Sequence, residues 1–271
     1  MRQPRRPLLV LHEHPLELGQ NGRFDVQKLA SWAALAAALR TARPGMLALV
    51  DPYFRAPRES GPAAELQDLL RRFPSASIVV AVWHRKGGYH DLFQLAQWGI
   101  AEVIHLDEDN TSTAIAQRLS ATSMRAVRQV LSQLPLLRPG RGRAILDAAV
   151  EIASDGGHPR ELAKELRISA STLQRWHEAC GLPKPRRLLL WIRALYAGAL
   201  LDDPGHTVNS VALACGYSSD RALRAGLRAV VPLNATELRN VGAFATLSQH
   251  FLREVEVLTA PRRSSSPTAT L

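Results

Sequence analysis

The feature of this 271-residue chain that most limits its fold is a repeat in the C-terminal half, where a short helix, a tight turn and a second helix are predicted twice. In the first unit, residues 159–166 predict a short helix. Ser169 is expected to cap a second helix, because a serine side chain can accept a hydrogen bond from a free backbone amide. The apolar face of that helix recurs at i, i+3, i+4 and i+7, at Leu173, Trp176, His177 and Cys180. Gly181 is expected to end it, as glycine does where a left-handed conformation closes a helix.

The second unit follows the same pattern. Thr207 is expected to cap a helix whose inner positions are Val208, Val211, Ala212 and Cys215. Gly216 predicts the turn, and Ser219 is expected to cap a second helix that buries Leu223, Leu227 and Val230. Aligning the two serine caps places Leu173 of the first unit on Leu223 of the second. Two helices joined by a tight turn form the arrangement that presents a recognition helix to the major groove of DNA.

A single long helix is predicted between the two units, over Lys184–Leu201, with Pro185 in its first turn. At ~1.5 Å per residue, its 17 helical residues span about 25 Å. A rigid spacer of that order can hold two recognition helices near one DNA turn apart, roughly 34 Å. Both units are therefore expected on one face of a duplex.

The outward faces of the two recognition helices carry side chains suited to DNA. They comprise Ala170, Ser171, Gln174, Arg175 and Glu178 in the first helix, and Asp220, Arg221, Arg224, Ala225 and Arg228 in the second. Arginine can donate two hydrogen bonds to guanine, and glutamine can bind adenine in a similar way. Ser169 and Ser219 lie at helix N-termini, where phosphates are expected to bind.

The composition favours the same class of partner. The formal net charge is +10, with 16 basic and 12 acidic residues up to Leu137 and 18 and 12 beyond it. Excess positive charge attracts polyanions through the release of counterions. Neither Cys180 nor Cys215 lies in a CxxC pair, so a disulfide framework or a structural zinc site is not expected. No run approaches a membrane span of about 20 apolar residues, and no signal peptide is evident, so a cytoplasmic location is expected.

The N-terminal half follows a different pattern, in which short apolar runs alternate with helical stretches. Buried parallel strands are predicted at Pro7–Leu11, Met46–Val50, Ser77–Val82 and Glu102–Leu106, with another at Phe24–Ala30. Helices are predicted at Ser31–Arg40, Ala63–Phe73 and His90–Trp98. This alternation predicts an α/β domain over residues 1–109, with a doubly wound parallel sheet of the receiver or flavodoxin-like kind.

Residues 110–143 are expected to connect the two halves. Asn110–Leu134 predicts one long helix that Pro135 stops. Leu136–Arg143 contains a proline, two glycines and three arginines, and it predicts an irregular linker. An all-α C-terminal domain, with two helix-turn-helix units joined by a long helix, is expected over residues 144–242. Residues 243–271 predict a last helix and then a disordered tail.

The C-terminal half resembles the DNA-binding domain of the AraC/XylS family over roughly Ala144–Asn240. The segments that match are Arg193-Ala-Leu-Tyr-Ala197, Leu200-Leu201, the run from Thr207 that ends Gly-Tyr-Ser-Ser219, Ser169-xxx-Leu173-x-Arg175, and Gly181-x-Pro183. The resemblance implies a transcription regulator whose partner is double-stranded DNA. By position, it implies base contacts from Ser171, Gln174, Arg175, Arg221 and Arg224. The phosphate contacts are expected from Ser169, Ser219 and Arg228.

Four positions depart from the family pattern. His177 stands where the family usually has phenylalanine, and it is expected to be a core aromatic residue. Ala225 replaces the usual arginine of the second recognition helix, although the neighbouring Arg224 can compensate. Pro232 and Ala235 stand where a glycine and a proline are usual. These departures affect the expected docking of the second unit on DNA more than that of the first unit.

The N-terminal half resembles, more distantly, the receiver domain of response regulators. Asp51 ends a predicted strand, at the position of a receiver's phosphoacceptor aspartate. The rest of the receiver chemistry is degenerate: His12-Glu13 offers at most one carboxylate for Mg²⁺, Val82-Trp83 replaces the hydroxyl residue, and His105-Leu106 replaces the lysine. The resemblance therefore implies a pseudo-receiver for dimerisation or signal input. A structural turn at Asp51 is favoured over a phosphorylation site.

Two other functions stay open at this point. One is a protein-assembly module without sequence-specific DNA binding, and the other is a phosphorelay regulator phosphorylated at Asp51. An enzyme is not expected, because the sequence has no phosphate-binding glycine loop, nucleophile elbow or metal-ligand cluster. Neither a cofactor nor a metal is expected. Besides DNA, the expected partners are a second copy of the chain and, for an activator, RNA polymerase.

Overall fold

A computed structural model describes residues 6–14, 16, 24–44, 46–56, 61–83, 89–100, 102–108, 111, 114–115, 118–119 and 125–260. The strands are β1 (Arg6–Leu11), β2 (Phe24–Lys28), β3 (Leu47–Val50), β4 (Ser77–Val82) and β5 (Glu102–His105). The helices that accompany them are α1 (Trp32–Thr41), α2 (Ala64–Arg72) and α3 (Tyr89–Gln97). Each element begins and ends within one or two residues of its predicted bounds.

Neighbouring strands run parallel, in the order β2-β1-β3-β4-β5. This is the flavodoxin-like order of a doubly wound sheet, so the predicted fold class of the N-terminal half is confirmed. The strands lack polar alternation because both faces of the sheet are covered. One face packs side chains such as Leu9 and Val80 against α1, α2 and α3. The other packs side chains such as Leu8 against Ile115 and Leu119.

The C-terminal half is an assembly of helices. They are α4 (Arg125–Ser132), α5 (Pro139–Ser154), α6 (Pro159–Glu165), α7 (Ala170–Cys180), α8 (Pro185–Asp202), α9 (Val208–Ala214), α10 (Asp220–Arg228), α11 (Ala235–Val241) and α12 (Ala243–Thr259). Buried side chains from all of these helices form one continuous apolar core. The predicted all-α fold of this half, with two helix-turn-helix units joined by a long helix, is confirmed.

Helix α8 lies at the centre of this core. Its 18 residues span about 27 Å. Eleven of them are buried: Leu188, Leu189, Trp191, Ile192, Ala194, Leu195, Tyr196, Ala197, Gly198, Leu200 and Leu201. The indole of Trp191 contacts Phe251 of α12 with ring centroids 5.4 Å apart, and Tyr196 Oη donates to Val150 O of α5 at 2.9 Å. The helix predicted as a spacer is therefore also the surface on which the other helices pack.

The prediction of an irregular linker over Leu136–Arg143 is wrong for residues 139–143, because α5 begins at Pro139. A proline in the first turn of a helix costs no hydrogen bond, since the amide it lacks would have no partner there. Arg128 of α4 forms salt bridges with Asp147 and Glu151 of α5, at 3.1 and 2.7 Å. These pairs tie α4 to α5 across the short segment that joins them.

The connecting helix predicted over Asn110–Leu134 lies only partly within the described residues. Positions 114–115 and 118–119 are helical, and α4 ends before Pro135 as predicted. Ile115 and Leu119 pack on the sheet, whereas the apolar side chains of α4 pack in the helical core. The tail predicted after α12 falls outside the described residues from position 261. In the described part of the chain, no helix is long and apolar enough to cross a membrane.

We expect Phe251→Ala to lower the free energy of unfolding by about 3–5 kcal/mol, because the ring is fully buried and its loss leaves a cavity beside Trp191. Urea unfolding followed by tryptophan fluorescence measures the change. Val257→Ala on the same helix is the control, since its side chain is 76% exposed and a change within about 0.5 kcal/mol is expected. Equal losses in the two variants would contradict the central position of the α8–α12 contact.

Candidate nucleic-acid interface

The first helix-turn-helix unit consists of α6, the turn at 166–169 and α7. Glu161 accepts a hydrogen bond from the His158 amide at the start of α6, as in a capping box. Ser169 Oγ accepts a hydrogen bond from Thr172 N at 3.1 Å and caps α7 as predicted. Gly181 ends α7 in the left-handed conformation, with φ +71°. The interior of the unit is apolar, with Leu162, Ala163, Leu173 and Cys180 buried.

The outward face of α7 presents the predicted base-reading residues to solvent. Ser171, Gln174 and Arg175 are all exposed. Gln174 Nε2 donates to Glu178 Oε1 at 3.2 Å, and Arg175 Nη2 donates to a threonine hydroxyl one turn earlier at 3.3 Å. These bonds keep two long, donor-bearing side chains on one face of the helix, where they can approach base edges.

His177 lies in the core of the first unit, as expected for a residue in the place of a phenylalanine. Its side chain is fully buried, and Nδ1 lies 2.5 Å from Pro183 O. Because a carbonyl oxygen can only accept, Nδ1 carries the proton in this contact. Burial lowers the pKa of His177, and the bond to Pro183 opposes this in part. The residue is therefore a neutral core histidine that also fixes the chain after α7.

The second unit, α9 to α10, repeats the local structure of the first. Thr207 Oγ1 accepts a hydrogen bond from Ser210 N at 3.1 Å, and Ser219 Oγ accepts one from Ala222 N at 3.2 Å. Gly216 makes the turn with φ +74°. The inner positions that the serine alignment equates are buried in both units: Leu173 with Leu223, and His177 with Leu227. Helix α10 ends at Arg228, so the predicted inner residue Val230 lies just beyond it and is half-buried.

Arginines dominate the outward face of α10. Arg221 and Arg228 are exposed, and so is Ala225 between them. Arg224 is half-exposed, with Nη2 3.7 Å from Asp220 Oδ2 one turn earlier. An exposed ion pair of this kind is weak, so Arg224 can exchange the carboxylate for a base or a phosphate at little cost.

Sequence patterns gave no role to Gly226, which lies inside α10 where glycine lowers helix stability. A β-carbon at this position would lie 2.8 Å from Tyr217 Oη and 3.0 Å from its Cε1. Tyr217 belongs to the turn before α10, and burial raises the pKa of its phenol to about 12. Its side chain therefore packs directly on the backbone of the recognition helix and fixes that helix against the turn. A glycine inside a predicted helix was the only signal for this contact in the sequence.

The sequence patterns also predicted no role for Arg187, which lies near the start of α8. Its guanidinium donates to Glu254 of α12, from Nε at 3.0 Å and from Nη2 at 2.6 Å. Nη1 donates to the backbone oxygen of Ala229, just beyond the end of α10. Charge-assisted bonds of this geometry are among the stronger hydrogen bonds in proteins. One side chain thus links the central helix, the last helix and the end of the second recognition helix.

Asp51 lies at the carboxyl edge of the sheet, directly after β3. Its Oδ1 accepts a hydrogen bond from Tyr53 N at 2.9 Å, which is an Asx-turn. Glu13, after β1, accepts a hydrogen bond from Arg55 N at 3.1 Å, and Tyr53 Oη donates to Asp91 of α3 at 2.9 Å. The carboxylates at this edge therefore hold the loop that follows β3. Among the described residues, no group of three or more His, Cys, Asp or Glu side chains could hold a metal ion.

We expect the wild-type protein to lose stability relative to His177→Phe as the pH falls below about 6.5. Unfolding exposes an imidazole that then binds a proton, whereas burial lowers the pKa of the folded residue and keeps it neutral. Falling pH therefore favours unfolded wild type, and the difference in unfolding free energy should change by up to about 1.4 kcal/mol per pH unit.

Urea unfolding of both proteins between about pH 8 and pH 5 measures this difference. Comparing the two proteins at each pH cancels the contributions of other titrating groups. A difference that stays constant over the whole interval would contradict a neutral, buried His177.

Comparisons with known proteins agree with the geometry of the two units. Residues 162–240, from α6 into α11, match a family model described as a helix-turn-helix domain. No curated protein matches the chain. Among solved structures, the chain is similar to one titled "Low Resolution Structure of Response Regulator StyR", with 15% sequence identity. The match covers 69% of this chain and 97% of that chain. Its TM-score of 0.23 is too low to bear on the fold. By sequence match and by geometry, residues 162–240 of this chain are therefore a helix-turn-helix domain.

Proposed function

We propose that this protein regulates transcription by binding specific DNA sequences, with α7 and α10 inserted into successive segments of the major groove. One observation carries the proposal: two helices with exposed arginine and glutamine side chains pack on a single apolar core. A shared core holds the two helices at a fixed separation before DNA arrives. Little ordering is then needed on binding, and less of the interaction free energy is lost.

Within this proposal, the side chains of each helix have distinct roles. Ser171, Gln174 and Arg175 read base edges from α7, and Arg221 and Arg224 read them from α10. Ser169, Ser219 and Arg228 contact phosphates and set the register of the protein on the duplex. The net charge of +10 adds a sequence-independent attraction that weakens as salt concentration rises. No catalytic step is part of this function.

The test is fluorescence anisotropy of wild-type protein on a pool of short duplexes at two salt concentrations. We expect a subset of duplexes to bind tightly, with affinity that falls steeply with salt. Arg175→Ala should lose about 1–3 kcal/mol of binding free energy on that subset only, and relax the preference at one base position. Arg221→Ala should relax a preference about 10 base pairs away, because the two helices enter the groove one turn apart.

Two further variants separate base reading from charge. Arg175→Lys keeps the positive charge but lacks the planar fork, so non-specific binding should survive while specific binding falls. Arg71→Ala removes an exposed arginine at the end of α2 in the sheet domain, and we expect it to leave specific binding unchanged. If the wild type prefers no duplex to any other, sequence-specific binding is ruled out, and the assembly-module alternative becomes the better account.

We further propose that the sheet domain is a pseudo-receiver that dimerises, as opposed to a phosphorylated switch. Tyr89 and Phe93 support this role, because they lie one turn apart on α3 and are 80% and 63% exposed. Neighbouring exposed aromatic side chains are a common mark of a protein–protein contact. The hydrogen bond from Tyr53 N to Asp51 favours a structural role for that carboxylate.

Sedimentation velocity checks the dimer. We expect wild type to dimerise and the double variant Tyr89→Ala, Phe93→Ala to sediment as a monomer, because the exposed apolar area is removed. Leu137→Ala, which removes an exposed leucine of the helical half, should leave the dimer intact. A wild-type protein that stays monomeric at every concentration tested would leave signal input as the role of this domain.

A further inference from the structure

The sheet domain and the helical domain meet at a polar contact between residues 72–75 and residues 203–206, hereafter the interdomain contact. Ser75 N and Ser75 Oγ both donate to the Asp203 carboxylate, at 3.0 and 2.5 Å. Gly205 N donates to a backbone oxygen of the sheet domain at 2.8 Å. The rings of Phe73 and His206 pack edge to face, with centroids 5.2 Å apart. Asp203 and His206 are buried in this contact, whereas Ser75 lies at its exposed edge.

Gly205 allows the two domains to approach this closely. A β-carbon at this position would run into the Phe73 ring and would lie 2.8 Å from Arg72 O. The ring could turn aside, but the backbone oxygen belongs to the end of α2 and cannot shift cheaply. The contact therefore fits one docked arrangement of the two domains and is lost if they separate by a small distance.

The pKa values of the two buried titratable groups at the contact are shifted in opposite directions. Burial raises the pKa of Asp203 to about 7, against two hydrogen bonds from Ser75 that lower it, and Asp202 raises it further. Burial lowers the pKa of His206 to about 4, with Arg239 and Arg40 acting in the same direction and a backbone bond at Arg40 opposing them. On separation below pH 6.5, Asp203 would release a proton and His206 would bind one. The two changes in bound protons therefore act in opposite directions.

The interdomain contact lies at the entrance to the second helix-turn-helix unit. Residues 203–206 join the end of α8 to Thr207, which caps α9. On the opposite side, Arg239 of α11 donates to Leu201 O and His206 O at 2.8 and 2.9 Å. Helix α1 of the sheet domain also packs against α9. The segment that sets the direction of α9 is thus held between the sheet domain and α11.

The docked sheet domain leaves the recognition faces open. Gln174 and Arg175 of α7 are exposed in this arrangement, and so are Arg221 and Arg228 of α10. A contact that served to shield the DNA-binding surface would have to cover at least one of these faces. In this arrangement the sheet domain therefore supports the second unit and does not cover the recognition helices.

We propose that the interdomain contact couples the state of the sheet domain to DNA binding by the second unit alone. While Ser75 and Phe73 hold residues 203–206, α9 and α10 keep the orientation that the second half of the DNA site requires. A change in the sheet domain that moves the turn between α2 and β4 releases this segment and weakens the second unit. The inference rests on the proposed function, because it concerns how one of the two DNA-reading units is regulated.

The test uses Ser75→Ala in the whole 271-residue chain. Ser75 lies outside the helical domain, so an effect of its hydroxyl on DNA binding has to pass through the interdomain contact. Affinity for a duplex with both half-sites should fall about fivefold or more. The loss should vanish on a duplex whose second half-site is scrambled. Ser132→Ala is the matched control, since this exposed serine donates to Gln129 O of its own helix at 2.7 Å, and it should change neither affinity.

Hydrogen exchange measured by mass spectrometry reports on the contact itself and needs no DNA. In Ser75→Ala, and in the second variant Gly205→Ala, the segments around Ser75 and Gly205 should exchange faster while α7 and α10 stay protected. Faster exchange with unchanged or increased affinity for the two-site duplex would overturn the coupling and leave the proposed function intact. Unchanged exchange in both variants would also overturn it. Wild type without any sequence preference would overturn both proposals together.

Discussion

Helix α8 gives most of its surface to other helices, since α5, α9, α11 and α12 all pack against it. The two helix-turn-helix units consequently have no separate cores: Leu173 of one and Leu223 of the other enter the same cluster as Trp191. The separation of the recognition helices is therefore set by side-chain packing in a dense interior. It can change only if that interior repacks, and close-packed interiors resist small deformations. Arg187 and Tyr217 add polar and ring contacts that fix α10 on this scaffold.

Local patterns located most elements of the fold because the forces that define them act over a few residues. The strands of the sheet were predictable from short apolar runs, since both faces of a parallel sheet are covered. The caps at Ser169, Thr207 and Ser219 were predictable because a cap and its amides lie within three residues of each other. The start of α5 was missed because proline and glycine suggested a linker. Proline is tolerated in a first turn, and a β-carbon at Gly142 would lie 2.9 Å from the Leu136 side chain, so glycine fits there for packing reasons.

The contacts that the sequence could not reveal join residues far apart in the chain. Arg187 and Glu254 are separated by 67 positions, and Ser75 and Asp203 by 128. No periodicity links such residues, and a serine in a surface turn has no local feature that marks it as a partner for a buried aspartate. The sequence predicted which arginines lie on the exposed faces of α7 and α10. It did not predict the contacts, such as those of Arg187 and Tyr217, that hold α10 in place. The exposed faces of α7 and α10 are thus encoded locally, whereas the orientation of these helices depends on tertiary contacts.

The segment 162–240 that matches a known type of domain is shorter than the body that has to fold around α8. Before it, α4 and α5 contribute side chains such as Val127 and Ile145, and after it α12 contributes Leu247 and Phe251. A graft cut at the ends of the matched segment would carry both recognition helices but lack the groups that cover Trp191. The part that can be exchanged between proteins, by engineering or by recombination, is therefore residues 125–260 as a whole. Sequence similarity marks the two helix-turn-helix units, but their fold depends on the larger body of residues that surrounds α8.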